Sequence, residues 1–98
     1  MRLTLEQIKE KLHNELPSLA HRYGVKSLSI FGSYAQHIAT EKSDLDLLVT
    51  FEETPGLIGF VGLENYLSDL LGVKIDLVMP EALKPTIAKR VFAEAIEV

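Results

Sequence analysis

Gly32 and Ser33, followed after ten residues by Asp44, Leu45 and Asp46, are the residues whose types and spacing could do chemistry. The run reads GSYAQHIATEKSDLD. Its Gly-Ser pair follows an apolar stretch, Val25–Phe31, and its Asp-x-Asp pair opens another, Leu45–Phe51. On a strand, residues i and i+2 point to one face. Asp44 and Asp46 are therefore expected to point one way, with Leu45, Leu47, Val49 and Phe51 opposite. Two carboxylates on one face repel unless a cation sits between them. A divalent metal such as Mg²⁺, which takes oxygen ligands and often binds a substrate's phosphates as well, is the natural occupant.

A third carboxylate, Asp76, sits in the later apolar run KIDLV, on the same strand face as Lys74 and Val78. If that strand neighbours Leu45–Phe51, Asp76 joins Asp44 and Asp46. Three carboxylates on one sheet face are the minimum kit for a two-metal site, in which metals about 3.5–4 Å apart stabilise the attacking and leaving oxygens of an in-line displacement. The Gly-Ser turn supplies the other half. Gly32 lacks a Cβ, so a phosphate can approach the backbone closely. A short helix is predicted from Ser33 to about Ile38, and a helix N-terminus offers free N–H groups and a positive dipole end to an anion. The Ser33 hydroxyl could donate a further hydrogen bond.

These residues need elements to hold them. Thr4 with Gln7 forms a capping-box pattern, and Leu5, Ile8, Leu12, Leu16 and Leu19 follow at helical spacing. Pro17 is expected to kink this helix or begin a second one, and Gly24 ends it. Val25–Phe31 and Leu45–Phe51 read as strands, and Glu52–Gly56 as a turn. Leu57–Leu71 reads as a helix burying Phe60, Leu63 and Leu67, with Gly72 as its C-cap. Lys74–Val78 is the third strand. A last helix starts near Pro80 or Pro85, with Ile87, Val91, Phe92, Ala95 and Ile96 on its stripe. The order α-β-α-β-α-β-α predicts an α/β fold in which helices cover mainly one face of a three-stranded sheet. The acidic cluster then lies on the other face, partly open to solvent.

Composition narrows the partners. With 98 residues, 47% of them hydrophobic, the chain is expected to form a single domain spanning 1–98. No uncharged apolar run is long enough for a membrane span, and the charged start MRLTLEQIKEKL lacks a signal-peptide core. Without cysteine there are no disulfides or thiolate metal sites. These features point to the cytoplasm. The net charge is −4 and the cations are dispersed, so independent nucleic-acid binding is not expected.

The pattern Gly-Ser-x10-Asp-x-Asp with a later strand Asp resembles the nucleotidyltransferases of the DNA polymerase β superfamily. The resemblance is nearest to the minimal nucleotidyltransferases, or MntA-like antitoxins. It covers nearly the whole chain, through FGSYAQHIATEKSDLDLLV and GLIGFVGLENYLSDLLGVKIDLVMPEALKP. It implies a nucleotidyltransferase-type fold with a small mixed sheet, and roles for these residues. Asp44 and Asp46 would bind two Mg²⁺ ions. Asp76 would complete one metal site and help deprotonate the attacking hydroxyl. Gly32 and Ser33 would hold the β- and γ-phosphates of a nucleoside triphosphate. The implied reaction moves AMP from ATP onto a hydroxyl of a partner protein, a HEPN-domain toxin, with release of pyrophosphate.

The chain departs from the pattern where the family often has Arg-Gly after GSYA: here Gln36 and His37 stand. Glutamine cannot replace the charge of an arginine on phosphate, though Lys42 could supply a substitute cation. His37 stands where a glycine's positive φ could be needed. Two alternatives to protein adenylylation follow. One is an antitoxin that neutralises its partner by contact without turnover. The other is a small-molecule nucleotidyltransferase completed by a partner subunit.

Plainer readings stand beside these. Asp44 alone could be a turn residue and Ser33 a simple helix cap, whereas Asp46 and Asp76 fall inside strands, where aspartate is depleted. His13 and His21 read as helix-surface residues, and Tyr34 as packing under the loop. Lys84, Lys89 and Arg90 read as a solvated face.

Overall fold

The computed structural model describes residues 3–98; Met1 and Arg2, which open the charged N-terminal run, lie outside the described residues. The chain folds as α1 (Leu5–Tyr23), β1 (Val25–Phe31), β2 (Leu45–Phe51), α2 (Leu57–Leu71), β3 (Ile75–Val78), a 3-10 turn (Pro80–Ala82), α3 (Pro85–Glu94) and β4 (Ile96–Glu97).

Helix α1 starts at the expected capping box. The Gln7 N–H donates to Thr4 Oγ1 at 3.1 Å, and the Thr4 N–H to Gln7 Oε1 at 2.8 Å. It continues as one helix through Pro17 to Tyr23 instead of restarting there. An internal proline costs about 3 kcal/mol. Burial of Ile8, Leu12 and Leu19 along one stripe, at about 1.5–3 kcal/mol each, outweighs it.

The sheet order is β3-β2-β1-β4. β1 pairs antiparallel with β2 and β4, and β2 pairs parallel with β3. The sheet is mixed, as expected, but has a fourth strand where the sequence suggested the tail of a helix. Ala95 leaves α3 with φ −67° and ψ 142°. Ile96 then pairs with Ile30, and the Val98 N–H donates to Leu28 O at 3.1 Å. Ala95 and Ile96 fit helical spacing after Val91 and Phe92, so periodicity alone could not separate the two states. The free edge of β1, with its unpaired backbone groups, decides it.

Register assigns the two faces. Leu28 opposes Val49, Ile30 opposes Leu47, Leu45 lies beside Ile75 and Leu47 beside Leu77. Those side chains form the core with Ile8, Leu12 and Leu19 of α1 and Leu63, Leu67 and Leu71 of α2. The opposite face carries Ser27 beside Thr50, with 2.5 Å between their hydroxyl oxygens. It also carries the row Ser29–Leu48–Val78 and the row Phe31–Asp46–Asp76. β3 and β4 are opposite edges, so the chain between them must cross the sheet, and α1 and α2 already occupy the core face. The 3-10 turn lies against β2. Leu48 is buried although it belongs to the second face, and so is Val91 of α3. The crossing segment thus shields part of that face. Among the described residues, no helix is long and apolar enough to cross a membrane.

Candidate active site

Parallel pairing of β2 and β3 brings two of the three predicted carboxylates side by side. Asp46 and Asp76 are register neighbours on the second face. Asp44 immediately precedes β2, where the Leu45 N–H donates to Lys74 O at 2.8 Å and starts the β2–β3 ladder. The Lys74 ammonium lies 4.0 Å from Asp44 Oδ2, with both side chains well exposed. An exposed pair at that distance adds little to stability.

The electrostatics show what the cluster lacks. Asp46 is pushed from the usual carboxylate value up to about 6. Burial is the largest cause, followed by the negative charges of Asp76 and Asp44 and a hydrogen bond with the Asp76 side chain. Negative charge at Asp46 is therefore unfavourable in the ligand-free fold, and a cation beside it would relieve that cost. Among the described residues, no three His, Cys, Asp or Glu side chains are grouped so that they could hold a metal ion together. The arrangement is instead an open row of hard oxygen donors. That donor set fits Mg²⁺, which keeps several waters and is held by one or two carboxylates plus substrate phosphates.

Gly32 ends β1 beside Asp46. Its φ is +72°, and a Cβ added there would collide with the Asp46 carboxylate. Only glycine meets both demands. From here the structure corrects the expectation of a short helix over Ser33–Ile38: residues 32–37 form successive turns. The bonds are Gln36 N–H to Gly32 O (3.1 Å), His37 N–H to Tyr34 O (3.3 Å) and Ile38 N–H to Ser33 O (3.0 Å). The reason is His37, whose φ of 62° stops helical propagation after one turn. No multi-turn dipole therefore faces an anion. Among the described residues, none of the backbone bonds of this loop uses the N–H of Ser33, Tyr34 or Ala35, and successive N–H groups in a turn make an anion-binding concavity.

Tyr34 is buried in the core, as expected, and anchors the loop from below. Lys42 is exposed in the turn after the loop, where its N–H donates to Thr40 Oγ1 at 3.2 Å. Two residues near the site went unassigned in the sequence reading. Lys74 had a signal, since it shares a strand face with Asp76. Glu94 had none, since it stands 58 residues from its partner: Gln36 Nε2 donates to Glu94 Oε2 at 3.0 Å. A cavity of about 240 Å³ lies under the loop, lined by Ile8, Tyr34, Glu41 and Leu71 among others. Asp44, Asp46 and Asp76 are not among its lining residues, so it is not where they could act.

A family model for the nucleotidyltransferase domain matches residues 6–98. The chain belongs to that nucleotidyltransferase family. It is 48% identical over 96 residues to the protein adenylyltransferase MntA of Thermococcus cleftensis, covering 98% of this chain and 97% of the relative. A solved structure assigned as a minimal nucleotidyltransferase superposes with a TM-score of 0.83 at 40% identity, over 98% of this chain and 97% of that one. The fold is shared more distantly with a chain of a complex between a tri-AMPylated Shewanella oneidensis HEPN toxin and an MNT antitoxin. That match has a TM-score of 0.69 at 19% identity, over 96% of this chain and 71% of that one. This nucleotidyltransferase thus carries its Gly-Ser turn and acidic row on the fold that its family model describes.

His37 of the nucleotidyltransferase is its one non-glycine residue with positive φ among those described. The left-handed conformation costs about 1–2 kcal/mol, while glycine's extra backbone entropy costs about 0.5–1 kcal/mol. His37→Gly is therefore expected to stabilise the chain by about 0.5–1 kcal/mol, as read by urea denaturation.

Proposed function

We propose that this nucleotidyltransferase moves AMP from ATP to a hydroxyl of a partner protein, a HEPN-domain toxin, and that residues 1–98 act as one catalytic domain. The observation that carries the reading is the contact of Gly32 with Asp46 beside Asp76. It sets a phosphate-accepting turn directly against paired carboxylates. The turn at Gly32 and Ser33 takes the β- and γ-phosphates on backbone N–H groups and the Ser33 hydroxyl, leaving the α-phosphorus over the acidic row.

Asp44, Asp46 and Asp76 would hold two Mg²⁺ ions there, which would supply positive charge against that developing on the attacking and leaving oxygens. Asp76, the most open of the carboxylates on β2 and β3, accepts the proton of the attacking hydroxyl. The hydroxyl oxygen bonds to the α-phosphorus, the bond from that phosphorus to the bridging oxygen breaks, and pyrophosphate leaves. A protein acceptor is favoured over nucleic acid by the net charge of −4. The distant fold likeness to the toxin–antitoxin complex points to the HEPN partner.

Gln36 favours a second reading, an antitoxin that acts by contact alone. It is uncharged and turned toward Glu94, so it offers no cation to a triphosphate. Intact mass of the co-expressed partner, after incubation with this chain, ATP and Mg²⁺, separates the two. The enzyme reading expects a gain of one or more AMP units that disappears in Asp44→Asn/Asp46→Asn. A stable complex with no mass gain would leave only the contact reading.

A further inference from the structure

We infer that Glu94 is a positioning residue for the nucleotide site: its carboxylate holds the Gln36 amide and so fixes the turn that receives the triphosphate. The inference rests on the role proposed above for Gly32 and Ser33. The turn has little to hold it from within. Three backbone hydrogen bonds of 3.0–3.3 Å close it, and two of its residues, Gly32 and His37, have positive φ. Strained backbone at a site persists only where the surroundings over-determine it. Tyr34 supplies one anchor, in the core. The outer side of the loop, Gln36 to Ile38, is exposed, and there the bond from Gln36 Nε2 to Glu94 Oε2 is the anchor that the structure provides.

Glu94 is well placed for this task. It is the last residue of α3, and Ala95 is capped back onto the helix by its N–H to Val91 O at 2.8 Å. Two residues on, Ile96 is paired with Ile30 of β1, the strand that leads into Gly32. The Glu94 backbone is thus tied to a helix on one side and to the site's own strand on the other. A side chain reaching from it sets Gln36 relative to β1 itself. Both side chains are exposed, so the bond contributes little to global stability. Its effect is expected in the geometry of the turn, and hence in nucleotide affinity.

The test is calorimetric binding of AMP-PNP with Mg²⁺ to the full chain. Glu94→Ala and Gln36→Ala are each expected to weaken binding about five-fold, the scale of one net hydrogen bond. The double variant should be no weaker than either single one, because both remove the same contact. Glu94→Gln keeps an acceptor for the Gln36 amide and should bind within about two-fold of wild type. Melting temperatures should stay unchanged, while the Ile38 amide of ligand-free Glu94→Ala should exchange faster. Wild-type affinity in Glu94→Ala, together with weakened binding in Ser33→Ala, would overturn the role of Glu94 and leave that of the turn standing. If Ser33→Ala and Gly32→Ala both bind as tightly as wild type, the turn holds no phosphate and both readings fall.

Discussion

Asp46→Asn is expected to remove nucleotidyl transfer and, at pH 7, to make the ligand-free chain more stable. The two effects have one cause. Asp46 lies beside Asp76 and near Asp44, partly buried, and its carboxyl is raised from 3.8 to about 6. Asparagine keeps the shape and loses the charge. In the role proposed for Asp46, losing one such electrostatic group costs about 10²–10³-fold in kcat. In the folded state, however, the negative charge is unfavourable. Below about pH 4, Asp46 is protonated in folded and unfolded chains alike and costs nothing. As pH rises toward 6, the unfolded chain loses its proton first, and folding is penalised.

Two pKa units set a ceiling of about 3 kcal/mol, and solvent screening of a side chain that is only partly buried brings this to about 1 kcal/mol. The ligand-free wild type should therefore lose stability between about pH 4 and pH 6, and Asp46→Asn should lack that loss. At pH 7 the variant should melt about 4–8 °C higher. Thermal melts across that range, beside transfer assays, check both halves. A lower melting temperature for Asp46→Asn at pH 7 would mean that the carboxylate serves the fold and not a site.

Gly32→Ala is expected to damage stability and activity together. The left-handed φ costs about 1–2 kcal/mol for alanine. The new methyl also overlaps the Asp46 carboxylate, and relieving such an overlap adds about 1–3 kcal/mol. Either the turn or Asp46 must move, and a displacement near 1 Å at a reacting centre costs about 10²-fold in kcat/KM. Gly72→Ala is the control. Its φ is +67°, yet nothing lies within 4 Å of the added Cβ. It should lose about 1–2 kcal/mol in urea denaturation and keep full transfer activity. Equal losses of activity in the two variants would remove the argument from close approach.

Much of this was legible in residue order. The Asp-x-Asp pair, the aspartate of the third strand and the Gly-Ser turn were visible because strand alternation fixes side-chain direction locally. The capping box at Thr4 and Gln7 and the glycine caps were visible because they depend on residues within one turn. Two elements differed from the expectation, one for a local reason and one for a long-range reason. The short helix after Gly32 failed because a single positive φ, at His37, ended it. The tail of the last helix became β4 because an open strand edge competed for Ile96.

By itself, then, the sequence determined the candidate residues for phosphate and metal, which faces of the strands they share, and the family to which the chain belongs. Tertiary structure alone decided that β3 lies parallel beside β2, so that Asp76 reaches Asp46. It alone set Glu94 against Gln36 across 58 residues, and it placed the crossing segment over part of the acidic face. The division has a physical reason. Alternation, caps and turns are short-range consequences of backbone geometry. Strand neighbours, edge pairing and contacts between distant side chains depend on how the whole chain buries its apolar surface, and no local pattern encodes that.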